Sequence, residues 1–338
     1  MTASLFAWAA GYTVASEPAP ILRFVRPFRF LAGMGQIVTG AELAARAVQA
    51  ERLGYHAVVV PDHLLDQLSP VVTMATVAAA TSTLRVSAFV LNNDLRHPAV
   101  LAQDLASIDV LSGGRLDVAI GAGWNKSEYV AIGVPFAPVG VRQARLAESI
   151  TVLKGLFSGS QFSFAGDYYT LTDYTARPVP VQRPHPPFLI GGGGRRTLSL
   201  AGAEADIVGL APRIQPNGSA DPKSLTLAAT REKISWVQAA AGERFPSLEL
   251  NIYPSSMWPV TITNDLRGEA GRVVEALRSR TGVALTQEEV IDSPHLFIGS
   301  VDRLVEKFLQ LREALGISSI MVGEIGDLTS VIERLADV

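Results

Sequence analysis

The chain has 338 residues, 48% of them hydrophobic and 18% charged, with 29 basic against 32 acidic side chains and no cysteine. That length buries a core large enough to fold without disulfides or a structural metal. The missing cysteines exclude a thiolate nucleophile, a redox CxxC pair, iron–sulfur ligation and cysteine-bound zinc, and the near-balanced charge argues against nucleic acid as a partner.

Residues 1–27 differ in character from the rest of the chain. Residues 5–11 are mildly apolar, but no Lys or Arg precedes them and the run is far too short to span a bilayer. Neither a secretion leader nor a membrane anchor is expected there. The stretch reads as a loosely ordered extension ahead of a single domain over 28–338.

From Arg29 onward, short β-branched or apolar runs alternate with longer stretches of helical period, the pattern of parallel strands joined by helices. Residues 29–34 read as a strand and 41–53 as a helix ended by Gly54. Ala57–Val60 is a continuous apolar run, as expected for a strand covered on both faces. The alternation continues with a helix over 71–80, a strand over 84–91, a helix opened by His97 and Pro98 and closed by Gly113, and a strand over 116–121. Later strands are expected at 188–191, 205–210, 248–253 and 317–322. Helices are expected near 141–157, 195–204, 222–240, 264–279 and 301–315, and residues 162–171 suggest a small hairpin. About eight β-then-α units without an internal repeat point to an eightfold (β/α)8 TIM barrel with insertions, a doubly wound open sheet being the competing architecture.

In a barrel, residues just past each strand converge on one open face. Pro61, Asp62 and His63 follow the second strand, so an imidazole able to exchange a proton near neutral pH would stand at that mouth, unless His63 is an ordinary loop histidine. His97, ahead of Pro98, reads as a capping or turn residue. Asn92, Asn93 and Asp94 add polar groups after the third strand. Gly121, Ala122, Gly123 and Trp124 end the fourth, where small residues leave room for a flat ring; a plain glycine-rich turn fits equally well. The run from Gly191 through Gly192, Gly193 and Gly194 to Arg195, Arg196 and Thr197 joins an apolar strand to a helix. Close backbone approach, free helix-start amides and two guanidinium groups make it a candidate phosphate site, against a merely tight turn. No metal-ligand spacing and no GxSxG nucleophile motif occurs.

Residues 58–64 (VVVPDHL), 95–124 (LRHPAVLAQDLASIDVLSGGRLDVAIGAGW) and 186–194 (PPFLIGGGG) resemble the luciferase-like flavin and deazaflavin oxidoreductases, and more narrowly the bacterial members that use coenzyme F420. The resemblance covers about 29–213. It implies an eightfold barrel binding its cofactor at the C-terminal strand ends, often as a homodimer. By this resemblance His63 handles a proton beside the deazaflavin, and Asp62 and Asn92 are polar cofactor contacts. Ala122, Gly123 and Ser127 border the ring, while Gly192, Gly193, Gly194, Arg196 and Thr197 hold the phosphate. Phe89 and Val90 fall where these proteins carry a non-proline cis peptide against the ring. One departure stands out. The F420-dependent sugar-phosphate dehydrogenases place a glutamate after the fourth-strand glycines, and this chain has Trp124 there, with Glu128 one helical turn later as a possible substitute.

The resemblance thus implies a cytoplasmic oxidoreductase transferring a hydride between C5 of F420 and a small organic substrate. An FMN-dependent monooxygenase using reduced flavin and oxygen is the alternative, and a non-catalytic F420-binding protein a third. Trp124, Tyr129 and the insertion over 212–222 are expected to wall the substrate pocket.

Overall fold

The structure, a computed structural model, describes residues 26–215, 219–255, 260–336 and 338. The extension expected over 1–27 lies outside them apart from its last two residues, of which Arg26 donates from Nη2 to the carbonyl of Ser247 at 2.6 Å. Part of the expected 212–222 insertion lies outside them as well.

Eight parallel strands form a closed barrel: β1 (Arg29–Gly33), β2 (Ala57–Val60), β3 (Arg85–Ala88), β4 (Leu116–Gly121), β5 (Phe188–Gly192), β6 (Ile207–Leu210), β7 (Glu249–Ile252) and β8 (Ile317–Glu324). Neighbours pair in the order β3-β2-β1-β8-β7-β6-β5-β4, and the β3–β4 pairing closes the ring. The barrel, not the open sheet, is therefore the architecture.

Alternation along each strand sorts the side chains. Phe30, Val58, Val60, Val118, Ile120, Ile190, Val208 and Ile252 face outward into the main core beneath the helices. Leu31, Ala57 and Val59 face inward with Phe89 and Met321, and Ala119, Leu189 and Ile207 pack there against Phe89 and Val90. The N-terminal end of the barrel is closed by charge: Arg29 reaches Asp117 at 2.9 Å and Glu249 at 2.7 Å, while Arg85 reaches the other oxygen of Asp117 at 2.5 Å.

The helices start and stop where their sequence says. α1 (Gly40–Arg52) carries a reciprocal capping box between Thr39 and Glu42. α2 (Pro70–Ala80) and α3 (Pro98–Ser112) open on proline; His97 caps α3 by accepting from the Ala99 amide at 3.2 Å, and Gly113 ends it with φ of 67°. After β4 come the short α4 (Lys126–Ala131) and the long α5 (Val139–Phe157). α6 (Arg195–Glu204) and α7 (Leu227–Ala241) follow β5 and β6. After β7 an insertion carries α8 (Leu266–Thr281) and α9 (Gln287–Ile291) around a small core of its own, before α10 (Val301–Leu315), β8 and α11 (Thr329–Leu335).

Three expectations are corrected. The third strand is not continuous over 84–91: β3 ends at Ala88 and a two-residue strand, Leu91–Asn92, resumes beyond the cis peptide between Phe89 and Val90. The helix expected near 222–240 is a 3-10 turn, Pro222–Leu225, followed by α7, because Thr226 caps a fresh start by accepting from the Ala229 amide. The hairpin pairs Phe162–Ala165 with Thr170–Tyr174, past the expected limit at 171.

Candidate active site

Six adjacent strands, β2 to β7, deliver the candidate residues to one mouth. His63 lies three residues past β2, and its Nδ1 is 2.8 Å from Oε1 of Glu128 on α4. The same carboxylate oxygen accepts from Asn125 Nδ2 at 2.5 Å, and its side chain is only 4% exposed. A carboxylate only accepts, so Nδ1 carries a proton and Nε2 is the nitrogen left for other chemistry. Trp124, 52% exposed, sets its ring edge-on to the imidazole with centroids 5.5 Å apart. Glu128, the substitute considered for the acid missing at Trp124, is thus the direct partner of the histidine.

Asp62 is spent on structure. One oxygen accepts from the Asn92 amide at 2.8 Å and both accept from Arg96, at 2.6 and 3.1 Å. Oδ1 of the Asn92 side chain accepts from the hydroxyl of Tyr129 at 2.9 Å, and that hydroxyl also reaches Asp94, itself held by Arg145 at 3.0 Å. Burial, then the neighbouring Asp94, pushes the Tyr129 phenol up to about 12. Tyr129, expected in the pocket wall, is fully buried, with its hydroxyl between Asn92 and Asp94. Asn93 is equally engaged, donating to the hydroxyl of Tyr169 at 3.2 Å. Ser127 is exposed and donates to Asn125 at 2.6 Å.

The fourth-strand glycines are there for closeness. A Cβ on Gly121 would stand 2.7 Å from Val90, and one on Gly123, whose φ is 71°, would stand 2.0 Å from the Tyr129 hydroxyl. The cis peptide between Phe89 and Val90 sits where the resemblance places one. Their side chains cover the barrel interior, and the Phe89 ring meets Tyr253, just past β7, edge-on at 4.9 Å.

The glycine-rich run occupies the end of β5 and the start of α6. A Cβ on Gly193 would be 2.5 Å from the Pro212 carbonyl, so glycine is needed for the approach of the loop after β6, whereas one on Gly194 would meet nothing within 4 Å. No side chain caps the first turn of α6, and Arg195 and Arg196 at that turn are exposed. Open space, uncapped amides and two guanidinium groups suit an anion. α5 joins this end to the other: Arg142 donates to the carbonyls of Ala122 and Gly123, and Gln143 donates to Thr197 at 2.7 Å.

Sequence reasoning missed a buried cluster behind Tyr253. His295 Nδ1 donates to the Tyr253 carbonyl at 3.0 Å, leaving Nε2 to accept from Lys233 Nζ at 3.4 Å; Lys233 also donates to the Ser224 carbonyl at 2.8 Å. Burial, then Lys233, pushes His295 down to about 3, and burial, then Arg213, pushes Lys233 down to about 7. No local sequence signal marks three residues so far apart. Among the described residues no group of three or more acidic or histidine side chains is placed to hold a metal ion, and no helix is long and apolar enough to cross a membrane.

The barrel thus brings a histidine–carboxylate couple and an uncapped, arginine-flanked helix start to one mouth. The chain is a member of the luciferase-like monooxygenase family, whose family model matches residues 23–221. It is 42% identical over 128 residues to an FMNH2-dependent dimethylsulfone monooxygenase of Pseudomonas putida, covering 38% of this chain and 35% of that protein. It is 36% identical over 173 residues to an F420-dependent glucose-6-phosphate dehydrogenase of Kineococcus radiotolerans, covering 49% and 50%. The matched segment thus spans from about a third to half of the length of these curated relatives. Among solved structures, an F420-dependent secondary alcohol dehydrogenase in complex with an F420-acetone adduct superposes with a TM-score of 0.69 at 21% identity, covering 92% of this chain and 98% of that one. The monooxygenase RslO1 of Streptomyces bottropensis superposes at 0.68 and 19%, over 91% and 98%. At these identities the superpositions establish the shared fold.

Proposed function

We propose that the protein is an F420-dependent oxidoreductase acting on a small organic substrate. The observation that carries the reading is the His63–Glu128 couple at the barrel mouth, close to Trp124 and on the same face as the uncapped start of α6. When bound, the deazaflavin supplies a two-electron hydride donor or acceptor. Gly192, Gly193 and Gly194, with Arg196 and Thr197, would hold its phosphate. Phe89, Val90, Ala122 and Gly123 would shape the slot for its ring, and Asp62 and Asn92 would fix the loop beside it through Arg96 and Tyr129. His63 would hold at Nε2 the proton that accompanies hydride transfer, with Glu128 stabilising the charge it gains.

A second reading has its own support. The 42% match to an FMNH2-dependent monooxygenase favours reduced FMN at the same site. Titration of the purified chain with F420 and with FMN, followed by fluorescence quenching, separates them. The F420 reading expects binding at least about tenfold tighter for F420, which is about 1.4 kcal/mol. FMN binding tighter than F420, with oxygen consumption on adding FMNH2, establishes the second reading, and absence of binding by either removes both.

We also propose pairing with a second copy of this chain across α2 and α3. α2 has no charged side chain, yet Val72 is 64% exposed, and Val100 and Leu111 of the neighbouring α3 are exposed as well. Apolar faces of this kind are usually covered. Sedimentation equilibrium at micromolar concentration is expected to give the mass of two chains; the mass of one chain ends the proposal.

A further inference from the structure

Tyrosine hydroxyls that are spent on the protein's own hydrogen bonds are not free for a ligand. In this chain Tyr55 accepts from the Gly326 amide at 2.9 Å, Tyr129 donates to Asn92, and Tyr169 accepts from Asn93. Tyr253 is different. Its ring is packed edge-on against Phe89, the residue is only partly buried, and its hydroxyl makes no hydrogen bond to a described residue and is left open to a ligand.

The backbone that carries this phenol is fixed unusually well. His295 grips it twice, donating from Nδ1 to the Tyr253 carbonyl at 3.0 Å and accepting at its own carbonyl from the Ser255 amide at 2.8 Å. Lys233 anchors His295 in turn and ties it to the 3-10 turn before α7 through Ser224, whose hydroxyl accepts from the Arg213 amide at 2.8 Å. A side chain held on a strand end by buried polar bonds, with its own polar atom left unspent, is prepared for a ligand. Inward-facing positions alternate along β7 through Glu249 and Asn251, so Tyr253 is the next residue of that series at the open end.

We propose that Tyr253 is a substrate-contacting hydrogen-bond donor, offering its O–H to an acceptor oxygen of an uncharged small molecule held beside the ring slot that Phe89 and Val90 shape. The assignment deepens the oxidoreductase reading, since a carbonyl or similar oxygen so bonded would be oriented next to the ring slot. Burial pushes the phenol above its usual range, so it remains a neutral donor across physiological pH. The apolar side chains around it, with no charge supplied by Tyr253 itself, suit a neutral ligand over an anionic one.

Cyclohexanone is a suitable probe, because its C=O stretch falls in frequency when it accepts a hydrogen bond. Infrared difference spectra of the full chain with the ketone are expected to show saturable binding and a lowered carbonyl band. In Tyr253→Phe, which keeps the ring contact with Phe89, the band is expected at its unbonded position and binding about tenfold weaker. Tyr253→Phe with wild-type affinity and the wild-type carbonyl band, or no saturable binding by the wild-type chain, overturns the proposal. Cofactor titration of the same proteins keeps the two ideas apart. Tyr253-dependent ketone binding in a chain that binds neither F420 nor FMN removes the oxidoreductase reading and leaves the donor role. Normal cofactor binding with ketone binding indifferent to Tyr253 does the reverse.

Discussion

His63 could be found from its place after an apolar run, because a strand end in a barrel is a location as well as a conformation. Its partner stood in the sequence only as a possible substitute for the acid missing at Trp124, since the Nδ1 to Glu128 contact joins residues 65 positions apart and depends on how α4 turns over the mouth. The pairing makes a graded prediction. His63→Ala is expected to keep cofactor affinity within about threefold while lowering turnover by roughly 10²–10⁴-fold, the usual worth of a positioned acid or base. Glu128→Gln keeps the shape but turns an acceptor pair into an amide, and is expected to lose turnover by less than His63→Ala, with a ceiling near 10⁴-fold where a carboxylate orients an imidazole. Steady-state kinetics on the F420 or FMN couple that proves functional reads both. Equal turnover in wild type and His63→Ala would leave the couple a structural contact. Tyr253 was invisible for a different reason: an aromatic just past a strand end looks like core, and only its unspent hydroxyl distinguishes it.

Whole elements were more legible than single contacts. The valine run of β2, the proline start of α3 and the glycine at its end each state a backbone preference locally, and each appears where expected. The break in β3 was not legible as a break, because RVSAFVLN is continuously strand-like and the interruption serves the placement of Phe89 and Val90 inside the barrel. The strand-to-helix turn at α6 was legible in composition but not in role: Gly193 is needed by the neighbouring loop, whereas Gly194 borders open space. That contrast gives a test of the anion role proposed for the element. Gly194 already has an ordinary backbone conformation, φ −113° and ψ 153°, so Gly194→Ala is expected to change stability by no more than about 0.5 kcal/mol. If the cofactor's phosphate approaches this turn, the same methyl group is expected to weaken cofactor binding about tenfold or more. Parallel urea unfolding and fluorescence titration separate the two effects, and unchanged affinity would move the phosphate elsewhere.

At the scale of the molecule, eight alternations of strand and helix announced the barrel, but nothing in them announced how its lower end is sealed. Arg29, Arg85, Asp117 and Glu249 come from four different strands, and the spacing from Arg29 to Glu249 alone is 220 residues. Closure of the sheet brings them together, and Asp117, its side chain only 3% exposed, serves both arginines. Burying such a group is costly unless it is fully paired, so the network constrains closure more than it adds stability, and its weakness is the removal of one member. Asp117→Asn leaves two guanidinium groups facing each other without the carboxylate charge they share and with one acceptor oxygen fewer. The expected loss is about 3–5 kcal/mol, as for breaking other buried pairs, read as a lower urea midpoint at unchanged m-value. Asp117→Asn combined with Arg85→Met removes the orphaned charge as well, and is expected to recover part of that loss. Because the plug lies at the opposite end of the strands from His63 and Gly194, the folded fraction of either variant is expected to bind cofactor with wild-type affinity. A single variant as stable as the wild type would mean that the sheet closes without help from these charges, and altered affinity would mean that the two ends of the barrel are coupled.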